Sequence, residues 1–183
     1  MRKIKILILT LLISFTSFGQ VDSVDYNFIN SALRQVSKYD NSYFLLQSKS
    51  YKCYFSEKLF EFYKKELKGR IDTVTLKEII RNSNSSSKTN FEFDTKLIAK
   101  DIGANIITAS TVDSLQMNEN KAQPLKTRLF YICSEPVYNN KKTFAVIEFG
   151  GGTRRLAMLG KKYLFKKTKN GWKLIATFDN WVS

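Results

Sequence analysis

The spacing of apolar residues predicts helices in the first half of the chain. In residues 25–38, apolar side chains recur every three or four positions, which is the spacing of one helix face. A second helix is predicted over residues 56–69, because this segment begins with serine and ends with glycine. A third, short helix over 75–81 opens on a capping-box pattern. The polar stretch 82–88 that follows is predicted to be a loop.

From residue 129 onward the pattern changes to that of strands. The segments 129–134, 143–149, 161–167 and 172–178 are rich in aromatic and β-branched residues. The pair Asn170-Gly171 between the last two segments is typical of a hairpin turn. The sequence therefore predicts an α+β fold, in which N-terminal helices pack on a C-terminal antiparallel β-meander of about four strands.

Two details of these segments concern the faces of the sheet. Segment 143–149 is apolar on both faces, so cover is expected on each side of it, and Gly150-Gly151-Gly152 is expected to end the strand. Alternation along the last segment predicts one shared face for four side chains: Trp172, Leu174, Ala176 and Phe178.

The N-terminal residues 1–19 have the layout of a cleavable signal peptide. A basic start precedes a mostly apolar run over 6–15, and small residues at Ser17 and Gly19 predict cleavage after Gly19. The apolar run is much shorter than the roughly 20 residues that a membrane span needs. We therefore expect a periplasmic or secreted protein, with residues 20–183 as a single α+β domain and no transmembrane segment after cleavage.

The net charge of the chain is strongly positive. There are 30 basic and 16 acidic residues, and removing the three basic residues of the leader leaves 27 against 16, or +11. Such a charge predicts attraction to an anionic partner: an envelope glycan, a lipid headgroup or an acidic protein. Nucleic acid is the less natural partner outside the cytoplasm.

The chain contains no histidine. This excludes the Ser-His-Asp and Cys-His types of catalysis, and the two cysteines cannot fill a common zinc site without imidazole ligands. Cys53 and Cys133 allow two interpretations, a disulfide permitted by export or two free buried thiols acting as small apolar groups. No cofactor, metal or catalytic residue is predicted.

The C-terminal third has a recognisable order of features. Ser134-Glu135-Pro136 ends a strand, the apolar strand 144–149 leads into the glycines at 150–152, and Asn170-Gly171-Trp172-Lys173 forms a closing hairpin. In this order the segment resembles a group of uncharacterised exported bacterial proteins. The glycine-rich break of such relatives often carries cysteines, which this chain lacks there. The resemblance implies a shared local structure, because the group has no assigned activity.

Two segments are candidates for binding an anion. In the first, Gly150-Gly151-Gly152 precedes Arg154 and Arg155, so backbone N–H groups and two guanidinium groups would converge on a phosphate, sulfate or carboxylate. The structural alternative is a loop or bulge that needs glycine. In the second, one strand face is predicted to combine lysines with aromatic residues: Lys161, Tyr163, Phe165 and Lys167. Lysines that protect a sheet edge, and aromatic residues in a core, explain the same pattern.

The predicted function is a non-enzymatic binding or interaction module for an anionic envelope or extracellular partner. One alternative is a carboxylate-based hydrolase acting on envelope polymers, for which Glu135 and Glu148 are the acidic residues nearest the strand core. Ion pairing of these carboxylates with the abundant lysines is the simpler expectation. The other alternative is a purely structural envelope protein.

Overall fold

The computed structural model describes residues 25–37, 44–48, 50–85, 92–108, 110–111, 130–152 and 158–182. The α-helices are α1 (Tyr26–Ser37), α2 (Phe60–Glu66) and α3 (Thr73–Ser85). The strands are β1 (Phe44–Gln47), β2 (Ala104–Ile107), β3 (Phe130–Cys133), β4 (Val137–Tyr138), β5 (Phe144–Gly152), β6 (Met158–Thr168) and β7 (Gly171–Val182). The α+β class predicted from the sequence is confirmed.

Within the described residues, the strands form one mixed sheet of seven rather than the four that were expected. The order is β2-β1-β3-β5-β6-β7, and β4 pairs with β5 next to β3. The predicted antiparallel meander of four strands is present as β3, β5, β6 and β7. Of the three extra strands, β4 is antiparallel to β5, whereas β1 and β2 are parallel to each other and β1 also runs parallel to β3. Both β1 and β2 have four residues, which is too short for alternation to distinguish a strand from a helix.

Side-chain caps set the start of two helices. Asp25 precedes α1, and its Oδ1 accepts a hydrogen bond from the N–H of Phe28 at 3.0 Å. Asp72 precedes α3 and accepts hydrogen bonds from the backbone N–H and the hydroxyl of Thr75, at 2.9 and 2.7 Å. The predicted helix start at Thr75 was therefore wrong by two residues. The helix also continues to Ser85, so the first part of the predicted loop 82–88 is helical.

The helix predicted over 56–69 is divided. A 3-10 turn (Glu57–Leu59) precedes α2, which ends at Glu66. Gly69 has a φ of 76°, so the chain reverses there in the left-handed region that favours glycine. The helical segment therefore ends at Gly69 as predicted, three residues after the last residue of α2.

The sheet lies between two layers of helix. On one face, α1 packs on the sheet in a cluster that we call the first core, which includes Phe28, Leu33, Ile147 and Phe165. On the other face, α2 and α3 pack in the second core, which includes Tyr63 and Ile79. The expected cover on both sides of β5 is confirmed, because alternate residues of this strand enter the two cores. In the described part of the chain no helix is long and apolar enough to cross a membrane.

Two local features of the strands differ from the expectation. Gly150, Gly151 and Gly152 continue β5 and pair with both β3 and β6. In β7, a register shift inserts one extra residue between Leu174 and Ala176. This β-bulge reverses the alternation, so residues 172 and 174 face the first core and residues 176 and 178 face the second. The prediction of one shared face for these four side chains was wrong.

Candidate functional site

Three charged side chains meet inside the second core, where β5, β6 and β7 lie side by side. Nζ of Lys162 is 3.1 Å from Oε2 of Glu148 and 2.5 Å from Oδ2 of Asp179. Glu148 is 6% exposed and Lys162 4%, and the Asp179 side chain is 18% exposed. We call these residues the buried ion cluster. Removing one member would leave a buried charge without its partner, which is costly, so the fold depends on all three.

Strand register places two members of the cluster and a bulge places the third. Glu148 and Lys162 are direct cross-strand partners, and Lys162 lies opposite Phe178. Asp179 follows Phe178 and would by alternation point to the other face of the sheet. A second register shift in β7 and a φ of 51° at Asp179 turn its carboxylate toward Lys162. Left-handed backbone at a non-glycine residue costs about 1–3 kcal/mol and is held by its surroundings.

Neighbouring groups hold the two carboxylates in place. The indole Nε1 of Trp181 donates to Oε1 of Glu148 at 2.8 Å, so both oxygens of this carboxylate are engaged. The hydroxyl of Tyr63 donates to Oδ2 of Asp179 at 3.4 Å. The backbone N–H of Asp179 donates to Oε2 of Glu66 at 3.1 Å, which ties the bulge to the end of α2.

Aromatic rings enclose the cluster on the helix side. The ring of Phe55 lies 5.4 Å from Nζ of Lys162, within range of a cation–π contact. Tyr63 and Phe178 complete this wall, and all three rings are at most 2% exposed. Charges held in such apolar surroundings interact more strongly than they do in water.

The electrostatics of the cluster act on its titratable neighbours. Burial lowers the pKa of Lys162, but the charge of Glu148 and the hydrogen bond to Asp179 outweigh burial and raise this pKa above its ordinary value. Burial, together with the charge of Glu148, raises the pKa of the Tyr51 hydroxyl and raises the pKa of Cys53 to about 12. At neutral pH the amine is therefore an ammonium ion, and the phenol and thiol are neutral.

The two cysteines are free and buried. Cys53 belongs to the second core and Cys133 to the first, so the sheet separates them. Burial raises the pKa of Cys133 as well. The structure therefore agrees with the second interpretation of the sequence, in which both cysteines are free thiols that pack as small apolar groups. Neither thiol is a thiolate nucleophile at neutral pH.

The first predicted anion site is only partly within the described residues. Arg154 and Arg155 lie outside them. The three glycines form neither an anion cradle nor the alternative loop or bulge, because they pair as part of β5. The first of them, Gly150, lies under the ring of Trp181, which also covers Gly160 in β6.

The four residues of the second predicted anion site differ in how deeply they are buried. Lys161 and Lys167 are exposed and Tyr163 is half-buried, but Phe165 is fully buried. The ring of Phe165 makes an edge-to-face contact with Phe28 of α1, with centroids 5.3 Å apart. Phe165 therefore belongs to the first core, and an external ligand would reach only the lysines and part of Tyr163.

The two glutamates considered for hydrolysis have different roles in the structure. Glu148 is engaged by Lys162 and Trp181, which confirms the expected pairing with a lysine. The backbone N–H of Glu135 donates to the carbonyl of Tyr51 at 2.8 Å. Lys162 and Asp179 were not singled out from the sequence. A lone glutamate in an apolar strand is the signal that points to a buried partner, but the register needed to find that partner depends on the tertiary fold.

A second notable feature is a group of lysines at one end of the sheet. The β4–β5 turn and the β6–β7 turn lie side by side there, since the N–H of Lys167 donates to the carbonyl of Thr143 at 2.8 Å. We call the group the lysine end. Its six exposed members come from two turns and the adjoining strand ends: Lys141, Lys142, Lys166, Lys167, Lys169 and Lys173.

Few groups neutralise the lysine end. Within the described residues, none of its six lysines forms an ion pair with a carboxylate; the ion pairs there involve Arg34, Lys64 and Lys162. Two of its ammonium groups lie over aromatic rings, Lys166 over Phe144 and Lys167 over Trp172, each at 5.6 Å from the centroid. In the sequence, Lys141-Lys142 and Lys166-Lys167 are separate pairs and the other two lysines stand alone, so only folding brings the group together.

The described residues contain no evident metal site, and the chain has no match among known proteins. Among the described residues, no group of three or more Cys, Asp or Glu side chains is placed to hold a metal ion. No protein-family model, curated protein or solved structure matches this chain. The resemblance of the C-terminal third to exported bacterial proteins stays a prediction.

Proposed function

We propose that this protein is an exported, non-enzymatic binding module that holds an anionic partner at the lysine end. The observation that carries the proposal is the convergence of six exposed lysines, none paired with a described carboxylate, on two adjacent turns. Unpaired positive charges close together repel one another, and an anionic partner relieves that repulsion.

The chemistry of the interior is consistent with binding rather than catalysis of an external substrate. The buried ion cluster is enclosed, its lysine is protonated, and both free thiols are neutral at pH 7. The partner classes that suit the lysine end are envelope glycans, lipid headgroups and acidic proteins. All of them present the carboxylate, sulfate or phosphate groups that ammonium ions attract.

Binding to immobilised heparin and to vesicles of anionic lipid tests the proposal. Lys141, Lys142, Lys169 and Lys173 are replaced together by Gln. At about 1 kcal/mol per lysine near an anionic surface, we expect the affinity to fall by at least roughly 100-fold at low salt. The apparent affinity of the unaltered protein should decrease as salt rises, because screening weakens exposed charges.

A matched variant separates a site from general basicity. Replacing Lys58, Lys65, Lys68 and Lys100 by Gln removes the same charge from other exposed positions. We expect this variant to retain most of the affinity. Equal losses in the two variants would show that only the total charge matters, and would contradict a binding site at the lysine end.

Export is a separate part of the proposal. The pattern of residues 1–19 supports it, and these residues lie outside the described ranges. Expression of the full chain in a bacterial host, followed by fractionation and N-terminal sequencing, should give a mature protein that begins at Gln20. A cytoplasmic protein that keeps residues 1–19 would contradict export without affecting the binding test.

A further inference from the structure

The contact between Lys162 and Asp179 has a chemical consequence beyond an ion pair. A primary amine and a carboxylate are held together by neighbouring strands, and a second carboxylate contacts the same nitrogen. We propose that Lys162 and Asp179 become joined by an intramolecular isopeptide bond, with Glu148 as the catalytic acid–base group. The proposal is independent of the binding function assigned to the lysine end.

The reaction is a condensation that needs no other reactant. Nζ of Lys162 attacks Cγ of Asp179, the new Nζ–Cγ bond forms, and one Cγ–Oδ bond breaks. The ammonium ion and the carboxylate together become a secondary amide and one water molecule, so atoms and charge balance. The ammonium ion gives one proton to the carboxylate of Asp179, and Glu148 accepts a second proton from the attacking nitrogen and returns it to the departing oxygen. That oxygen therefore leaves with both protons, as water.

The fold supplies the proximity that such a reaction requires. Reacting groups that are fixed in contact need no further loss of translational freedom, which lowers the barrier by several orders of magnitude in rate. Here Nζ of Lys162 already lies 2.5 Å from a carboxylate oxygen of Asp179. The left-handed backbone of Asp179 and its hydrogen bond to Glu66 aim this carboxylate at the amine.

Burial favours both the neutral reactants and the product. The resting amine is protonated, because the two carboxylates together outweigh the effect of burial on its pKa. Passing a proton from Lys162 to a carboxylate converts an ion pair into a neutral amine and acid, which a low-dielectric site favours more than water does. The aromatic wall of Phe55, Tyr63 and Phe178 limits the access of water that would hydrolyse the amide.

Trp181 orients the carboxylate of Glu148 within the cluster. The indole Nε1 donates a hydrogen bond to Oε1 of Glu148, so the other oxygen, Oε2, faces Nζ of Lys162 at 3.1 Å. Asp179 has the closer contact with the amine and supplies the carbonyl carbon, whereas Glu148 is placed to move protons. The product would link β6 to β7 covalently, close to the C-terminal end of β7.

Mass spectrometry of the purified, denatured protein tests the proposal directly. We expect an intact mass that is lower than that of the mature sequence by one water molecule. Digestion with trypsin should give a branched peptide that joins residues 162–166 to residues 174–183, with no cleavage after Lys162. An unchanged mass after prolonged incubation of the folded protein would overturn the proposal, and so would a bond from Lys162 to Glu148.

Three substitutions give the reaction a signature of its own. Lys162→Arg keeps the charge but should remove the mass loss. Asp179→Asn should form the same amide while losing ammonia in place of water, so the mass change differs by a measurable amount. Glu148→Gln should slow the reaction, so that the unreacted mass dominates in fresh protein. Circular dichroism checks that each variant is folded.

The Asn variant keeps the test decisive if Lys162→Arg fails to fold. A folded Asp179→Asn protein with neither mass loss nor branched peptide would contradict the proposal. If the three residues form only a static ion cluster, neither the original chain nor any variant should lose mass or give a branched peptide.

Discussion

The indole of Trp181 occupies the space above Gly160. A Cβ atom at Gly160 would lie 2.1 Å from Cε2 of that ring, a distance at which the ring has to move. The glycine is therefore required for packing, and the hydrogen bond from Trp181 to Glu148 depends on it.

Replacing Gly160 by Ala should destabilise the protein by about 1–3 kcal/mol, because overpacking displaces Trp181. Urea unfolding followed by tryptophan fluorescence measures the change. Gly150→Ala is the matched control, since its Cβ would lie 3.3 Å from Cζ2 of the same ring and needs only a small adjustment. Similar losses for both variants would contradict this account of Gly160.

Trp181→Phe should also destabilise the fold. The phenyl ring cannot donate a hydrogen bond, so Oε1 of Glu148 loses its partner at 2.8 Å inside the protein. Loss of a hydrogen bond to a buried charged group costs about 1–3 kcal/mol. Combining this change with Glu148→Gln in a double-mutant cycle, read by urea unfolding, should show that the two effects are not additive.

Gln35 of α1 closes the edge of β7. Its Oε1 accepts from the N–H of Leu174 at 2.8 Å, and its Nε2 donates to the carbonyl of Trp172 at 2.8 Å. Gln35→Ala should lower the free energy of unfolding by about 1–3 kcal/mol, because the N–H of Leu174 loses its partner and the carbonyl of Trp172 keeps only the hydroxyl of Ser31. Arg34→Ala removes an exposed ion pair with Asp101 and should have a smaller effect in the same urea experiment. A larger loss from Arg34→Ala would reverse this assignment.

Stability should fall at alkaline pH, partly through Cys53. Its pKa is raised from 9.0 to about 12 by burial and by the charge of Glu148. Because the folded pKa lies above the unfolded one, this stabilisation is complete below about pH 9 and is lost as the pH rises toward 12. One ionising group changes the free energy of unfolding by at most about 1.4 kcal/mol per pH unit. The slope above pH 9 should be shallower in Cys53→Ala, and an unchanged slope would show that Cys53 does not contribute.

The buried thiols should be unreactive in the folded protein. Titration with a thiol reagent should give close to zero reactive groups under native conditions and two in denaturant, because both cysteines are free and buried. The absence of reactive thiols in denaturant, restored by a reducing agent, would instead indicate a bridge between Cys53 and Cys133.

The sequence by itself determined the elements whose physics is local. The 3.6-residue spacing of α1, the Asn170-Gly171 hairpin and the apolar run of β5 are properties of neighbouring residues, so they predicted the α+β class and cover on both faces of the central strand. A lone Glu148 in that strand likewise predicted an ion pair, since an unpaired charge is not tolerated in a core.

Tertiary structure decided everything that depends on register and bulges. The two extra residues in β7 reversed the alternation after Leu174 and turned Asp179 toward Lys162, and no periodicity in the sequence marks such insertions. The sequence predicted a break at the glycines of β5, whereas Gly150 is covered by the ring of Trp181, which lies far along the chain. The lysine end was equally hidden, since its members belong to two turns that only the pairing of β5 with β6 brings together. Both the charged surface and the buried ion cluster are thus consequences of strand pairing, a long-range interaction that local sequence patterns do not encode.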